Sequence, residues 1–525
     1  MAHRVFCETI TNQNFAGFMK NLIEVSRILT KKKVRKIEII DSTILDNPDS
    51  KFGQFYEALM GNKLRNDRDA ATLLYNSSPT SDKYRQLKSR FRKRLFNTLF
   101  FLDINTPSAG GYERAYYSCN KDWTLVKILI ANEAFLSAKD LARSILTTAL
   151  KFNFADVIVN TSRILREFAA NEEDEKEFEV YDAYLKEFSP FLQAEHDSEE
   201  AFQRIRLKMK TPKDKLPEVL PFIDEQCNKL VELSEQYDSP VVFYNMYMGW
   251  ICNFEIQRDF NSMLLICERA EDYINKHPQY YQDNVLAAFQ LRKMSAFLHL
   301  KDFSNGQATA EKALETFTAG SQTWSKFLEY YLLLALHSGN YIHALAIYSR
   351  AVKHKKFNKI DLATRERWKV YEVYLHYFME LLGTTKSNIP PVGNYSFRLS
   401  RFLSDPIVYP KDQRVFTIHL VIAQLLFCLG KDEHMAADCV NRLRLYANKQ
   451  LKKEENNRLI QFIRLLNQLS RADFEPSELR NTEKYLSAMQ ETPFHYRGLT
   501  SEWEIIPLED LWSHILNRLG AAMAA

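Results

Sequence analysis

Seven positively charged residues lie in the stretch SDKYRQLKSRFRKRLFNTLFFLD, which spans residues 81–103. They are Lys83, Arg85, Lys88, Arg90, Arg92, Lys93 and Arg94. No acidic residue stands between Asp82 and Asp103. A dense row of cations can bind the phosphates of a nucleic acid or the acidic surface of a protein. These seven residues are therefore the candidate binding site of the sequence.

The spacing of apolar residues places the cations on a helix. At about 100° per residue, one narrow stripe holds the apolar side chains Tyr84, Leu87, Phe91, Leu95 and Leu102, with Leu99 at its edge. The opposite side holds Lys83, Arg90, Lys93 and Arg94. Ser81 suits the N-cap of this helix, and residues 67–75 predict a shorter helix before it. Many proteins insert the basic second helix of such a pair into the DNA major groove.

Two interpretations of the cations stay open. They can form a solvated outer face that binds nothing. Solvated faces usually mix charges of both signs, however, because neighbouring like charges repel each other. An anion would relieve that repulsion, and it would be either a nucleic-acid phosphate or an acidic protein surface.

No catalytic or cofactor motif accompanies this stretch. The sequence contains no P-loop, GxGxxG, HExxH, GxSxG or CxxC motif. Histidines stand beside acids at residues 195–198 and 431–439, a pattern typical of helical surfaces rather than of metal or acid–base sites. We therefore predict a protein that is not an enzyme and has no catalytic, cofactor or metal site.

An acidic run, EFAANEEDEKEFE, covers residues 167–179. Such a run is typical of a solvated turn that places acids at the N-terminus of the next helix. The alternative is that it forms a docking surface for the basic stretch.

Composition indicates the class of fold that positions these residues. The chain has 525 residues but only 14 Gly and 16 Pro, with 46% hydrophobic and 26% charged residues. So few turn-forming residues favour an all-α protein, and so long a chain favours either several domains or a stacked repeat array. One short stretch, VRKIEII (34–40), alternates like a strand.

Charge is unevenly distributed. Residues 1–118 contain 20 Lys and Arg against 12 Asp and Glu, and the remaining residues contain 50 against 54. The basic character therefore belongs to an N-terminal module. The seven cysteines are scattered without paired spacing, which predicts small core residues in a reducing compartment. The start lacks the apolar core of a signal peptide, and the most apolar stretch, residues 416–430, is too short to span a bilayer. We expect a soluble, cytoplasmic protein without a membrane partner.

A pattern recurs in the middle of the chain. Three stretches combine a turn residue, an aromatic (Phe260, Phe303 or Tyr341), and small or apolar residues three, seven and ten positions later. Small residues at these positions let antiparallel helices approach closely. The stretches resemble the second helix of tetratricopeptide repeats (TPR) over about residues 244–357. The whole chain is also similar to uncharacterised bacterial helical-repeat proteins.

These observations predict an all-α protein with an α-α superhelix, a TPR-like solenoid of helical hairpins. The predicted parts are a basic helical module (1–118), the solenoid (119–385), a Pro-containing linker (386–410) and C-terminal hairpins with a cap (411–525). The resemblance implies a non-enzymatic scaffold for protein–protein interaction that binds a protein or peptide. The first helices of the hairpins are largely apolar, so we expect them to hold a helix or an apolar segment. The alternative is a nucleic-acid-binding regulator, with a basic helix-turn-helix-like module and a solenoid that senses a partner.

Overall fold

The computed structural model describes residues 50–60, 64, 66–100, 111–209, 211, 213–280, 283–357, 360–383, 389–392, 397–404, 414–498 and 502–524. These residues form α-helices and short 3-10 turns, with no strand among them. The all-α fold class is confirmed. The strand predicted at 34–40 lies outside the described residues.

The helices divide between two compact units, residues 1–190 and 191–525. The first unit contains α1 (Lys51–Met60), α2 (Asp67–Tyr75), α3 (Asp82–Phe100), α4 (Gly111–Ile130), α5 (Phe135–Phe152) and α6 (Ala155–Asn171). The next helix, α7 (Glu175–Lys208), includes Pro190, where the division falls.

The second unit continues with α8 (Leu220–Gln236), α9 (Pro240–Gln257), α10 (Phe260–Lys276), α11 (Asp283–Leu300), α12 (Phe303–Leu314), α13 (Gln322–His337) and α14 (Tyr341–Val352). It ends with α15 (Leu362–Leu381), α16 (Leu399–Ser404), α17 (Arg414–Cys428), α18 (Glu433–Gln450), α19 (Lys453–Arg471), α20 (Glu483–Gln490) and α21 (Leu508–Ala524). From α8 to α15 each helix packs on the next one along the chain, as expected for stacked hairpins.

Turn residues set where the hairpins reverse. Arg258 and Lys301 adopt left-handed backbone conformations, with φ of 62° and 54°, which end α9 and α11. The next residue caps the following helix. The side chain of Asp259 accepts a hydrogen bond from the backbone N–H of Ser262, and Asp302 does the same for Asn305. The tripeptides Arg258–Phe260 and Lys301–Phe303 therefore each contain the residue that ends one helix and the residue that caps the next.

The small residues of the repeated pattern lie where the helices touch. Ala310, Ala313, Ala344 and Ala351 are all buried. Phe260 is also buried, whereas Phe303 and Tyr341 are half-buried at the edge of the core, where the ring of Tyr341 stacks on Phe378 at 4.1 Å. The helical-hairpin prediction is confirmed for these contacts.

The predicted boundary near residue 118 falls inside α4, a continuous helix that packs against α5. A domain boundary needs an exposed linker with few contacts, and α4 is not one. About half of the linker predicted at 386–410 lies outside the described residues, and the described part contains the short helix α16. The six described cysteines are free and buried, as predicted.

Gly306 provides a test of the close helix approach. A Cβ atom at this position would lie 2.4 Å from Cδ2 of Leu334 and 3.2 Å from Cβ of Phe297. We expect Gly306→Ala to lower the free energy of unfolding by about 1–3 kcal/mol because the contact is overpacked. Gly520→Ala is the matched control, since a Cβ in α21 would meet no atom within 4 Å. The control should raise stability by about 0.5–1 kcal/mol, and chemical denaturation measures both. Equal effects of the two substitutions would contradict the close approach.

Candidate functional site

The basic stretch forms α3, the third helix of a three-helix cluster. Its apolar side chains Tyr84, Leu87 and Phe91 are buried against α1 and α2. Six of the seven predicted cations are exposed: Lys83, Arg85, Lys88, Arg90, Arg92 and Lys93. Arg94 is different, because its guanidinium lies 4.6 Å from the ring of Phe52 and its side chain is half-buried. The sequence pattern predicts Arg94 on the side opposite the apolar stripe, and the contact with Phe52 corrects that placement.

Lys88 and Arg85 have acidic neighbours on α2 and α3. Lys88 binds Asp67 at 2.6 Å, and Arg85 lies 3.8 Å from Asp82. Tyr84 also donates a hydrogen bond to Asp67 at 2.7 Å, so these contacts fix α3 against the start of α2. Within the described ranges, no acidic group lies within 4.0 Å of Lys83, Arg90 or Arg92.

The acidic run has partners in its own part of the chain. Glu172 lies in the turn between α6 and α7, and Glu177 lies in the first turn of α7. Glu172 binds Lys139 on α5, while Glu177 binds both Lys139, at 3.0 Å, and Arg143. The run therefore spans the turn between α6 and α7 together with the adjoining ends of both helices, and these contacts connect it to α5.

A second site appears only in the structure. The described residues between α20 and α21, 491–498 and 502–507, are irregular and include Pro493, Gly498 and Pro507. We call residues 494–498 and 502–508 the inserted segment. Trp503 is 3% exposed and Ile505 is 0% exposed. Such deep burial without regular structure requires partners for the backbone.

The partners come from the first helices of six successive hairpins and from one backbone carbonyl. The contacted residues are Glu255 on α9, His299 on α11, Tyr330 and His337 on α13, Tyr371 on α15, His419 on α17, Arg458 on α19, and the carbonyl of Met209. The inserted segment therefore occupies part of the wall on which the sequence predicted a partner's apolar segment.

Histidines satisfy the backbone of the segment. His299 accepts a hydrogen bond at Nε2 from the backbone N–H of Tyr496, at 3.0 Å. His337 donates from Nε2 to the carbonyl of Glu504 at 2.8 Å. Burial lowers the pKa of His299 to about 3 and the pKa of His337 to about 4. Both imidazoles are therefore neutral at pH 7, which the acceptor role of His299 requires.

A buried ion pair anchors the far end of the segment. Arg458 donates to both carboxylate oxygens of Glu504, at 2.6 and 3.1 Å, and to Glu509 at 2.7 Å. Its remaining donor binds the carbonyls of Met489 and Thr492. Planar guanidinium groups suit this two-pronged geometry, which Lys cannot reproduce.

Trp503 completes the attachment. Its indole N–H donates to the hydroxyl of Tyr371 at 2.8 Å, and that hydroxyl donates to Glu329 at 3.1 Å. Arg367 then donates to Glu329 at 3.1 Å. The buried polar groups of this region therefore form a connected network that holds the segment. In the described part of the chain, no three His, Cys, Asp or Glu side chains are placed to hold a metal ion.

The first unit presents an apolar surface. Five large apolar side chains on α4 and at the start of α5 are 40–51% exposed: Tyr117, Leu125, Ile128, Phe135 and Leu136. An open cavity of about 300 Å³ lies beside Phe135, lined also by Ile130, Ile164 and Phe168. Glu167 and Glu172 complete its lining with Asn171.

Comparison with known proteins finds no matching family model, no similar curated protein and no similar solved structure. No helix within the described ranges is both long enough and apolar enough to cross a membrane.

Acid should weaken the attachment of the segment. His419 contacts the ring of Trp503, and burial lowers its pKa to about 4. Because an unfolded histidine titrates near pH 6.5, the unfolded state binds more protons as the pH falls from about 6.5 to about 4. Each such histidine should lower the free energy of unfolding by about 1.4 kcal/mol per pH unit in this range. In His419→Gln the slope between pH 6.5 and 4.5 should be smaller by that amount. Denaturant titrations at several pH values measure it, and an unchanged slope would contradict the prediction.

Removal of Arg458 alone should lower the free energy of unfolding more than removal of the charges of both Arg458 and Glu504. Arg458→Met leaves Glu504 buried without its partner, and we expect a loss of about 3–5 kcal/mol of unfolding free energy. The double variant Arg458→Met/Glu504→Gln removes the unpaired charge and should recover part of that loss. Denaturant unfolding of the two variants provides the comparison. A double variant less stable than the single one would show that the charge of Glu504 is not the cause.

Proposed function

We propose that this protein is a non-enzymatic scaffold for protein–protein interaction and that its partner binds the apolar surface of the first unit. The observation that carries the proposal is the cavity beside Phe135. Large apolar side chains exposed together are typical of protein-binding surfaces, whereas single exposed ones are ordinary. Elsewhere in the described residues of both units the exposed large apolar residues are spread over several helices, for example Leu73 on α2, Leu265 on α10 and Ile342 on α14.

The size and lining of the cavity favour a partner side chain over a small-molecule ligand. A volume of about 300 Å³ is at the lower limit of small-molecule sites. It accommodates one or two apolar side chains of an amphipathic helix. Glu167 at the rim is exposed, so positively charged residues beside the apolar stripe of that helix would be favoured.

The inserted segment supports a framework role for the second unit. It already occupies the contacts that Tyr371 and His337 could offer to a ligand. A partner at those contacts would first have to displace a buried tryptophan and a buried ion pair. The surface around Phe135 needs no such displacement.

A photo-cross-linking residue in place of Leu136, which is 41% exposed, tests the proposal. We expect it to cross-link a partner through an amphipathic helical segment, identified by mass spectrometry. Ile128→Glu/Phe135→Glu should abolish the cross-link because acids would enter the apolar contact. Leu265→Glu, at a 58% exposed position of the second unit, is the matched control and should retain it. Cross-links only to residues of this chain, or a cross-link retained in the double variant, would contradict the proposal.

A further inference from the structure

The three-helix cluster formed by α1, α2 and α3 has a small apolar core. Phe55 on α1 packs its ring against Phe91 at 4.7 Å and against Tyr84 at 6.4 Å. Asn66 caps α2 by accepting from the backbone N–H of Asp69, and Asn76 ends it with a φ of 46°. The six residues from 76 to 81 then lead into α3. One long face of α3 is thereby left exposed.

The cations of this face form two rows. Lys83 and Arg90 are seven residues apart, nearly two helical turns, so they lie on the same side of α3 about 10 Å apart along the axis. Arg85 and Arg92 have the same spacing and lie about 160° around the helix from the first pair. The outward-facing side of α3 lies between the two rows.

Polar side chains occupy the outward side. Gln86 and Ser89 lie between the rows, on the side opposite the buried Leu87 and Phe91, and both are exposed. Lys93 lies on the same side, one turn beyond Ser89. Gln, Ser and Lys are residue types that hydrogen-bond to base edges in the major groove.

From this arrangement we infer that α3 binds duplex DNA in its major groove. Two phosphate backbones border the groove, and a row of cations faces each one. The groove is about 12 Å wide and admits an α-helix of about 10–12 Å diameter. A flat acidic protein surface would contact one row or the outward side, and it would not need cations on both flanks with uncharged polar residues between them. This inference is independent of the apolar surface on α4 and α5.

The salt dependence of binding tests the inference. The full-length protein is titrated into a fluorescent 30-base-pair duplex of mixed sequence at several salt concentrations. We expect log K to fall steeply with log salt, since each neutralised phosphate contributes a slope of about −0.9. Lys83→Gln/Arg90→Gln/Arg92→Gln should flatten that slope by roughly two to three units. Because these side chains are exposed, the thermal unfolding of the triple variant should match that of the wild type.

A charge-matched control separates the α3 rows from the general charge of the protein. Lys276→Gln/Lys312→Gln/Lys353→Gln removes three exposed cations of the second unit, and we expect it to leave the slope unchanged. Ser89→Glu places an acid between the rows and should weaken duplex binding at least tenfold because it faces the bases.

The inference is overturned by an absence of duplex binding at 50 mM salt, by equal slopes in the two triple variants, or by full binding of Ser89→Glu. If α3 binds an acidic protein and not the duplex, that result also overturns it.

Discussion

An irregular segment that is buried among helices must find hydrogen-bond partners for its own backbone, because no water reaches it. In this protein the constraint falls on the inserted segment, whose residues 502–508 are all buried. The wall that surrounds them is apolar except at a few positions, and those positions carry the polar groups that the segment needs. His299 serves the backbone N–H of Tyr496, His337 serves the carbonyl of Glu504, and Arg458 serves the carboxylate of Glu504. Their identity follows from the groups they face.

The same contacts change how the hairpins depend on each other. In most helical-repeat proteins each repeat contacts only its neighbours, and stability is close to a sum of local terms. Here Glu504 contacts two distant helices at once, because its carbonyl accepts a hydrogen bond from His337 on α13 and its carboxylate binds Arg458 on α19. His337 and Glu504 are 167 positions apart in the sequence. Loss of one first helix would therefore leave unpaired buried groups in hairpins far from it. The second unit is expected to unfold as one cooperative body.

Local features of the sequence predicted the hairpins but not the inserted segment. The small residues at Gly306 and Ala351 and the cap at Asp302 act over a few positions, so periodicity is enough to find them. The inserted segment depends on pairs that are distant in sequence, which no local pattern encodes. The sequence nevertheless contains one signal, because the buried His419, which contacts Trp503, interrupts the most apolar stretch of the chain. The cations of α3 were located by their spacing, apart from Arg94, whose stacking on Phe52 requires a neighbouring helix.

The position of the inserted segment also bears on the order of events during synthesis. Domains generally begin to fold while the ribosome is still adding residues. The helices from α9 to α19 are complete before residues 494–508 are synthesised. Until then, the groups of His299, His337 and Tyr371 that bind the inserted segment lack these partners. Until then the wall exposes apolar surface beside those groups, a combination that attracts chaperones or other chains. A ribosome that pauses before residues 494–508 have emerged would therefore hold this protein in an aggregation-prone form.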